Sequence, residues 1–335
     1  MEKRRLGRTG LEVSAISFGA LPMQRCTMEE AGPVLQAVLA AGINFIDTAR
    51  AYTDSEEKIG LHLSSRRGEF YLASKSMARD KVAMAKDIDA SLAIMKTDYI
   101  DLYQVHNIKT RKDIDAVMAP GGALEALKAA KQAGKIGNIG VTGHSIELLL
   151  EAVKTNEFST VQVPFNFIET KAREELFPLA KSLDVGIIVM KPLGGGQVTH
   201  HNLALRFILE HEVSVAIPGM DAVEQISENM KALTEFQPLT PGEQETLHQD
   251  AQILGPNFCR RCGYCMPCTV GIDIPQNFIF HLQYTRYGMT KTIPQKYAGL
   301  AVKASACINC GICEDRCPYD LPIRDRLKQV AADLG

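Results

Sequence analysis

Eight short apolar runs, separated by stretches of helical period, fill most of the first 231 residues. The runs are Ala15–Gly19, Ile43–Asp47, Phe70–Lys75, Tyr99–Val105, Ile136–Val141, Thr160–Val163, Gly186–Met190 and Val215–Pro218. Amphipathic stretches lie between them at Glu29–Ala41, Val82–Met95, Leu124–Ala133, Glu147–Lys154, Ala172–Leu183 and Leu203–Glu210, and Val223–Leu233 follows the last run. A strand that leads into a helix returns to the same edge of its sheet, so the strands run parallel. Eight such units predict an α/β fold, a closed (β/α)8 TIM barrel with the helices outside. A doubly wound open sheet is the alternative, but it more often carries a glycine-rich turn after its first strand, and that turn is absent. A hairpin of Arg4–Arg5 against Val13–Ser14, turning at Thr9 and Gly10, is expected to cover the barrel floor.

The end of the chain obeys a different constraint. Eight of the nine cysteines form two tight runs, Cys259, Cys262, Cys265, Cys268 and Cys307, Cys310, Cys313, Cys317, the latter followed by Pro318. Zinc takes four such ligands, usually as two distant pairs. The second run instead reads C-x2-C-x2-C-x3-C-P, the spacing of [4Fe-4S] ferredoxins. In two-cluster ferredoxins the fourth cysteine of each run ligates the other cluster. That resemblance implies one cubane on Cys259, Cys262, Cys265 and Cys317 and a second on Cys307, Cys310, Cys313 and Cys268. A single cluster, or zinc, is the alternative. The long separation of the runs leaves room for helices, so residues 259–335 are expected to form a small, mainly α-helical iron–sulfur domain. Residues 236–258, with Pro238, Pro241, Gly255 and Pro256, read as a linker with one short helix between it and a barrel over 1–235.

Composition narrows the functional classes. Apolar residues make up 46% and charged residues 23%, as in a soluble globular protein. No apolar run approaches the roughly 18 residues of a membrane span. Met1–Gly10 lacks the apolar stretch of a secretory signal, so a reducing cytoplasm is expected, where clustered cysteines bind metal. From residue 251 onward ten Lys/Arg face six Asp/Glu, a local excess of +4 in a chain of net charge −2. No basic stripe with interleaved aromatics accompanies it, which argues against nucleic acid. The excess reads as compensation for clusters that each carry about −2 when oxidised.

Chemistry in such a barrel sits at the carboxyl ends of the strands. There the sequence offers Asp47 with Tyr52 close behind it, Lys75, and then Gln104 and His106. Singly, each has a structural explanation, such as a buried Asp–Lys pair; together, at three successive strand ends, they point to catalysis. The stretches N-F-I-D-T-A-R-A-Y (44–52), L-A-S-K (72–75), D-L-Y-Q-V-H (101–106), I-G-V-T-G-H-S (139–145) and the opening R-R-L-G-R-T-G-L-E-V-S resemble the aldo-keto reductases. The resemblance covers about residues 1–235. It implies a nicotinamide cofactor, NAD or NADP, and a tetrad of Asp47, Tyr52, Lys75 and His106. Physically, an ammonium beside a phenol lowers its pKa from roughly 10. Tyr52 then acts as general acid or base while His106 polarises the same oxygen.

The same resemblance implies cofactor contacts at Gly19, Thr142, Gln162, Met190, Leu193, Gly194, Gly196, Gly219, Gln225, Glu228 and Asn229. Gln162 keeps the family pattern. The positions after strand five read Thr142, Gly143 and His144, without the usual Ser-Asn pair, and the stacking aromatic on strand seven is replaced by Met190, which offers no ring face. Members selective for NADP carry a Lys and an Arg where this chain has Gly219 and Gln225, so weak NADP selectivity is expected. His200 and His201 read as loop or cap residues and Cys26 as an ordinary thiol.

Barrel plus cysteine domain resembles the ferredoxin-domain-bearing branch of the family. A small carbonyl or alcohol substrate is the expected partner. If the clusters are an electron port, a ferredoxin or another electron carrier is a second. If they are structural or redox-sensing, the barrel is an ordinary carbonyl reductase. A further reading makes the chain an electron-transfer or redox-sensing iron–sulfur protein whose barrel is not an independent reductase; the intact tetrad argues against it.

Overall fold

The computed structural model describes residues 2–255, 258–285, 289–290 and 292–335. Pro256, part of the expected linker, lies outside them. The chain divides into two compact units, Met1–Leu193 with His200–Gln244, and Gly194–Thr199 with Glu245–Gly335.

Among the described residues of the first unit, eight parallel strands pair in sequence order: β1 (Phe18–Gly19), β2 (Phe45–Asp47), β3 (Tyr71–Ser76), β4 (Ile100–Ile108), β5 (Ile136–Gly143), β6 (Thr160–Pro164), β7 (Gly186–Met190) and β8 (Val215–Ala216). The sheet closes on itself through parallel bridges Ile16↔Ala216 and Gly19↔Gly219. The seam is hydrogen-bonded from Ser17 N to Ala216 O at 2.8 Å and from Gly19 N to Pro218 O at 3.0 Å. Closure leaves no sheet edge to solvate. The structure is thus the expected barrel. The antiparallel hairpin Lys3–Arg5/Glu12–Ser14 sends Leu6 and Val13 into a core shared with Phe45, Ala73, Leu102, Ile188 and Val215.

Helices α1 (Met28–Ala40), α2 (Ser55–Leu63), α3 (Lys81–Ile94), α4 (Arg111–Met118), α5 (Ala123–Gln132), α6 (Ile146–Lys154), α7 (Leu176–Ser182), α8 (His201–Leu209) and α9 (Val223–Thr234) alternate with the strands. Several starts are fixed locally. Thr27 and Glu30 form a reciprocal capping box on α1, Thr110 and Asp113 another on α4, and Asp80 caps α3. Two of these helices, α2 and α4, were not foreseen from the sequence. The stretch expected as linker is instead mostly a 14-residue helix, α10 (Pro241–Leu254). Pro241 begins it, where a missing N–H costs nothing, and Thr240 and Glu243 exchange capping hydrogen bonds across the start.

The described residues of the second unit hold helices and turns: α11 (Ile274–Thr285), α12 (Ile293–Ala298), α13 (Ile312–Asp315) and α14 (Ile323–Leu334). Its core is Ile272, Ile274, Phe278, Tyr297, Leu327 and Val330, packed directly against Cys265, Cys313 and Cys317. Among the described residues no helix is long and apolar enough to cross a membrane.

The barrel seam depends on glycine at position 19, where a Cβ would lie 2.6 Å from Ile217 O. Gly19→Ala is expected to destabilise the protein by about 1–3 kcal/mol through overpacking. Urea unfolding should show a lower midpoint at unchanged slope; an unchanged midpoint would mean that the seam relaxes freely.

Candidate functional site

The barrel interior narrows to a polar layer at the carboxyl ends of its strands. Lys75 stands beside Gln104 across β3 and β4, and Thr142 beside Gln162 across β5 and β6. Asp47, at the end of β2, is the acceptor for this layer. It takes hydrogen bonds from Lys75 Nζ at 2.5 Å, Gln104 Nε2 at 3.0 Å and Gln162 Nε2 at 3.4 Å. Lys75 also donates to Thr48 O at 2.7 Å. Lys75 is 1% exposed and Asp47 2%, so this ion pair is withdrawn from solvent. Burial pulls the Lys75 ammonium below its ordinary pKa, and Asp47 opposes that fall.

Tyr52 reaches the layer from the loop between β2 and α2. Thr48 N bonds to Ala73 O, Arg50 N to Lys75 O, and Ser55 N to Tyr52 O at 2.8 Å, so the loop is laced to the neighbouring strand. Ser55 ties it further to Thr48 and to Ala20 O. Lys75 Nζ lies 4.8 Å from the centre of the Tyr52 ring. His106 meets the same ring edge-on, with centroids 5.8 Å apart at 84°. The four tetrad residues therefore come together. Burial pushes His106 well below the usual imidazole range, and Lys75, Arg79 and Lys191 push it the same way. Its ring is neutral at neutral pH. Arg79 clamps the adjoining backbone, donating to His106 O and Asn107 O at 2.9 Å each.

A second group at the strand ends was not foreseen. Asn107, directly after His106, has φ +54°, and Lys191, directly after β7, has φ +56°. Non-glycine residues in this region cluster at functional sites. Lys191 Nζ lies 2.6 Å from His144 Nε2, and His144 Nδ1 lies 3.0 Å from Asn107 Oδ1. An ammonium only donates and an amide oxygen only accepts, so His144 is the Nδ1–H tautomer. Asn107 N also donates to Thr142 Oγ1 at 2.8 Å. The sequence signal was His144 itself, at the place where the family pattern is broken.

In the second unit, eight unbridged cysteines surround two cavities. One is lined by Cys265, Cys268, Cys307, Cys310 and Cys313. The other is lined by Cys259, Cys262, Cys265 and Cys317. Their walls are otherwise largely apolar, with Ile274 common to both. Burial pushes the Cys259 thiol up to about 11, and that of Cys265 higher. Cys310, exposed, is held down by the Ile312 N–H and by Thr269. Buried thiolates need positive charge beside them, which a metal centre supplies. Among the described residues no three His, Cys, Asp or Glu side chains stand close enough together to hold a single metal ion.

Residues 15–203 match the model of the aldo/keto reductase family. The chain belongs to this family. Residues 258–322 match that of a 4Fe-4S dicluster domain, so the reductase barrel is joined to an iron–sulfur domain. Relatives include L-galactose dehydrogenase of Arabidopsis thaliana, 29% identical over 76% of this chain and 95% of its own. Aldo-keto reductase YhdN of Bacillus subtilis is 30% identical over 59% of this chain and 64% of its own. Among solved structures, the holo form of aldo-keto reductase AKR11C1 from Bacillus halodurans superposes with a TM-score of 0.66 at 26% identity, covering 75% of this chain and 96% of that one.

The reductase's expected cofactor residues are distributed unevenly. Thr142 and Gln162 are buried in the polar layer, and the Gln162 Oε1 has no hydrogen-bond partner among the described residues. Met190 ends β7, half-buried, and Leu193 is buried just beyond. Gly219 faces Gly19 at the seam, and both have a packing reason to be glycine. Gln225 is engaged twice by Asp221, through Nε2 to Oδ1 and Oε1 from N, both 2.9 Å. Asn229 is buried and Glu228 exposed on α9. Gly194 and Gly196 belong to the second unit, with φ +55° and +81°. Between them Gly195 passes so close to Arg260 that a Cβ would lie 2.0 Å from its carbonyl oxygen. Local packing thus already requires glycine in this loop.

The lowered pKa of His106 has a direct readout. Its imidazole signals, followed by NMR on histidine-labelled protein from pH 5.5 to 8, should show no titration near 6.5. A step centred there would contradict the neutral, buried ring.

Proposed function

We propose that this reductase exchanges hydride between NAD or NADP and the carbonyl carbon of a small aldehyde, ketone or sugar, or the corresponding alcohol in reverse. The observation that carries this reading is the buried Lys75 ammonium, fixed by Asp47 at 2.5 Å and 4.8 Å from the Tyr52 ring centre. A cation at that place favours the phenolate, so Tyr52 can release its proton to the substrate oxygen as hydride reaches carbon. In oxidation Tyr52 takes the proton back. His106, neutral, offers an N–H to the same oxygen without acting as a competing acid. Asp47 keeps Lys75 charged against its burial. The Arabidopsis relative's name, L-galactose dehydrogenase, keeps sugars within the substrate class.

A bound nicotinamide would supply or accept the hydride. Gln162 suits its carboxamide, because Nε2 is turned to Asp47 while the buried Oε1 remains for an N–H donor. Thr142 and Met190 would flank the ring, Leu193, Gly194 and Gly196 the pyrophosphate, and Gly19, Gly219, Gln225, Glu228 and Asn229 the adenosine. The cysteine cavities support two [4Fe-4S] clusters. Cys265 borders both, and equal sharing of the sulfurs assigns it to Cys259, Cys262 and Cys317, leaving Cys268, Cys307, Cys310 and Cys313 for the other.

Tyr52→Phe is expected to lower carbonyl reduction at least 100-fold, within the usual range for a lost general acid. Iron content and visible absorption should stay at the wild-type level. Retained turnover would remove Tyr52 from the mechanism. In the wild type, reduction should fall as pH rises through the lowered pKa of Lys75, because loss of its charge removes support for the phenolate.

Cofactor selectivity follows from the adenosine segment. Gln225 is taken up by Asp221, and the nearby Arg25 is already paired with that carboxylate at 3.1 Å. This leaves little positive charge for a 2′-phosphate. Measured affinities should show at most weak NADP preference, or a preference for NAD; an NADP advantage above about a hundredfold, 2.7 kcal/mol, would refute it.

A further inference from the structure

Directly after Cys259 stands a buried cation that neither the tetrad nor the cysteine ligands explain. Arg260 is 6% exposed. Its guanidinium carbon lies 3.9 Å from the centre of the Phe258 ring and 4.4 Å from that of Tyr319. Nη1 donates to Phe258 O at 2.5 Å. Phe258 immediately precedes Cys259, and Tyr319 follows Cys317 by two residues, so the two rings belong to the two ends of one cysteine set. Arg260 itself lines the cavity of Cys259, Cys262, Cys265 and Cys317. Its backbone is buttressed by the close approach of Gly195. A guanidinium is always charged and weakly hydrated, which makes it the cation best suited to such burial, and stacking on ring faces holds it flat.

We propose that Arg260 sets the reduction potential of the cluster held by Cys259, Cys262, Cys265 and Cys317, offsetting the burial of that cavity. This inference rests on the two-cluster assignment above. A [4Fe-4S] cluster on four thiolates goes from about −2 to about −3 when it accepts one electron from a reductant. Burial penalises the added charge and lowers the potential, while a fixed cation stabilises it and raises the potential. Cys265 and Cys317 are buried, so a charge at this wall is poorly screened by water or salt. The second cavity is built differently. Its Cys310 is exposed, and the Arg324 in its wall is partly exposed, so solvent screens charge there more strongly. Removing the Arg260 charge therefore acts more strongly on the cluster whose wall it lines than on the other.

The test is a redox titration followed by electron paramagnetic resonance on anaerobically purified protein, with wild type, Arg260→Leu, Arg260→Gln and Arg260→Lys compared. Leu keeps an apolar body between the rings, Gln keeps a donor for Phe258 O, and Lys keeps the charge. The wild type should carry about eight irons and show two midpoint potentials. In the Leu and Gln variants one potential should drop by at least 59 mV, a tenfold change in the one-electron equilibrium, with a smaller change in the other. Lys should recover most of the drop. If the neutral variants lose half the iron and Lys retains it, the charge is needed even to hold that cluster, and the proposal stands. Equal shifts in both clusters, no shift in either, or iron loss in the Lys variant as well would overturn it. A wild type with only four irons, or with zinc, fails earlier and removes the two-cluster assignment itself.

Discussion

The ion pair between Asp47 and Lys75 is the interaction on which the polar end of the barrel depends. Two opposite charges lie in a nearly dry interior, where removing one partner alone typically costs about 3–5 kcal/mol. The arrangement survives because Asp47 is also the acceptor for Gln104 and Gln162, and because Lys75 has a second acceptor in Thr48 O. The layer is therefore a shared network drawn from β2, β3, β4 and β6, not an isolated pair. Its orientation follows from strand register, which no single side chain can change. Tyr52 and His106 rest against it from the rim, one on a laced loop and the other on a clamped strand end.

The second unit solves a different problem with related means. A small core of Ile274, Phe278, Leu327 and Val330 is interrupted by sulfurs, which are partners for metal rather than filler. Without a positive centre those buried thiolates would be expensive, so binding of an iron–sulfur centre would stabilise the folded unit. Fixed charge in both units is positioned by packing: Asp47 orders Lys75 in the barrel, and Phe258 with Tyr319 orders Arg260 among the cysteines.

Much of this was legible in the chain because it is carried by local pattern. Alternating strand and helix periods predict the barrel, and polar residues ending three successive strands mark the mouth. The cysteine spacings identify the iron–sulfur domain before any coordinates. Other parts depend on meetings that sequence does not display. Asn107, His144 and Lys191 come from the ends of three different strands, and only register brings them into one hydrogen-bonded chain. Helix α2 carries Gly60 in its middle, and α4 is only eight residues long and buries just Ile114 and Val117, so each offers little apolar sequence to read. Pro238 and Pro241 read as breakers, yet Pro241 opens a helix whose cap is made by Thr240 and Glu243.

The loop Gly194–Thr199 leaves one consequence for how this protein is put together. It is enclosed in sequence by barrel elements but belongs to the compact unit that contains the cysteines. The iron–sulfur unit is thus discontinuous, and a cut between Gln244 and Glu245 would put Gly195 on one fragment and Arg260 on the other. What looks like an appended module in the linear sequence is not separable at that boundary. The chain passes between the two units at Leu193–Gly194, at Thr199–His200 and again at Gln244–Glu245, so they are joined by shared chain and not merely by a tether.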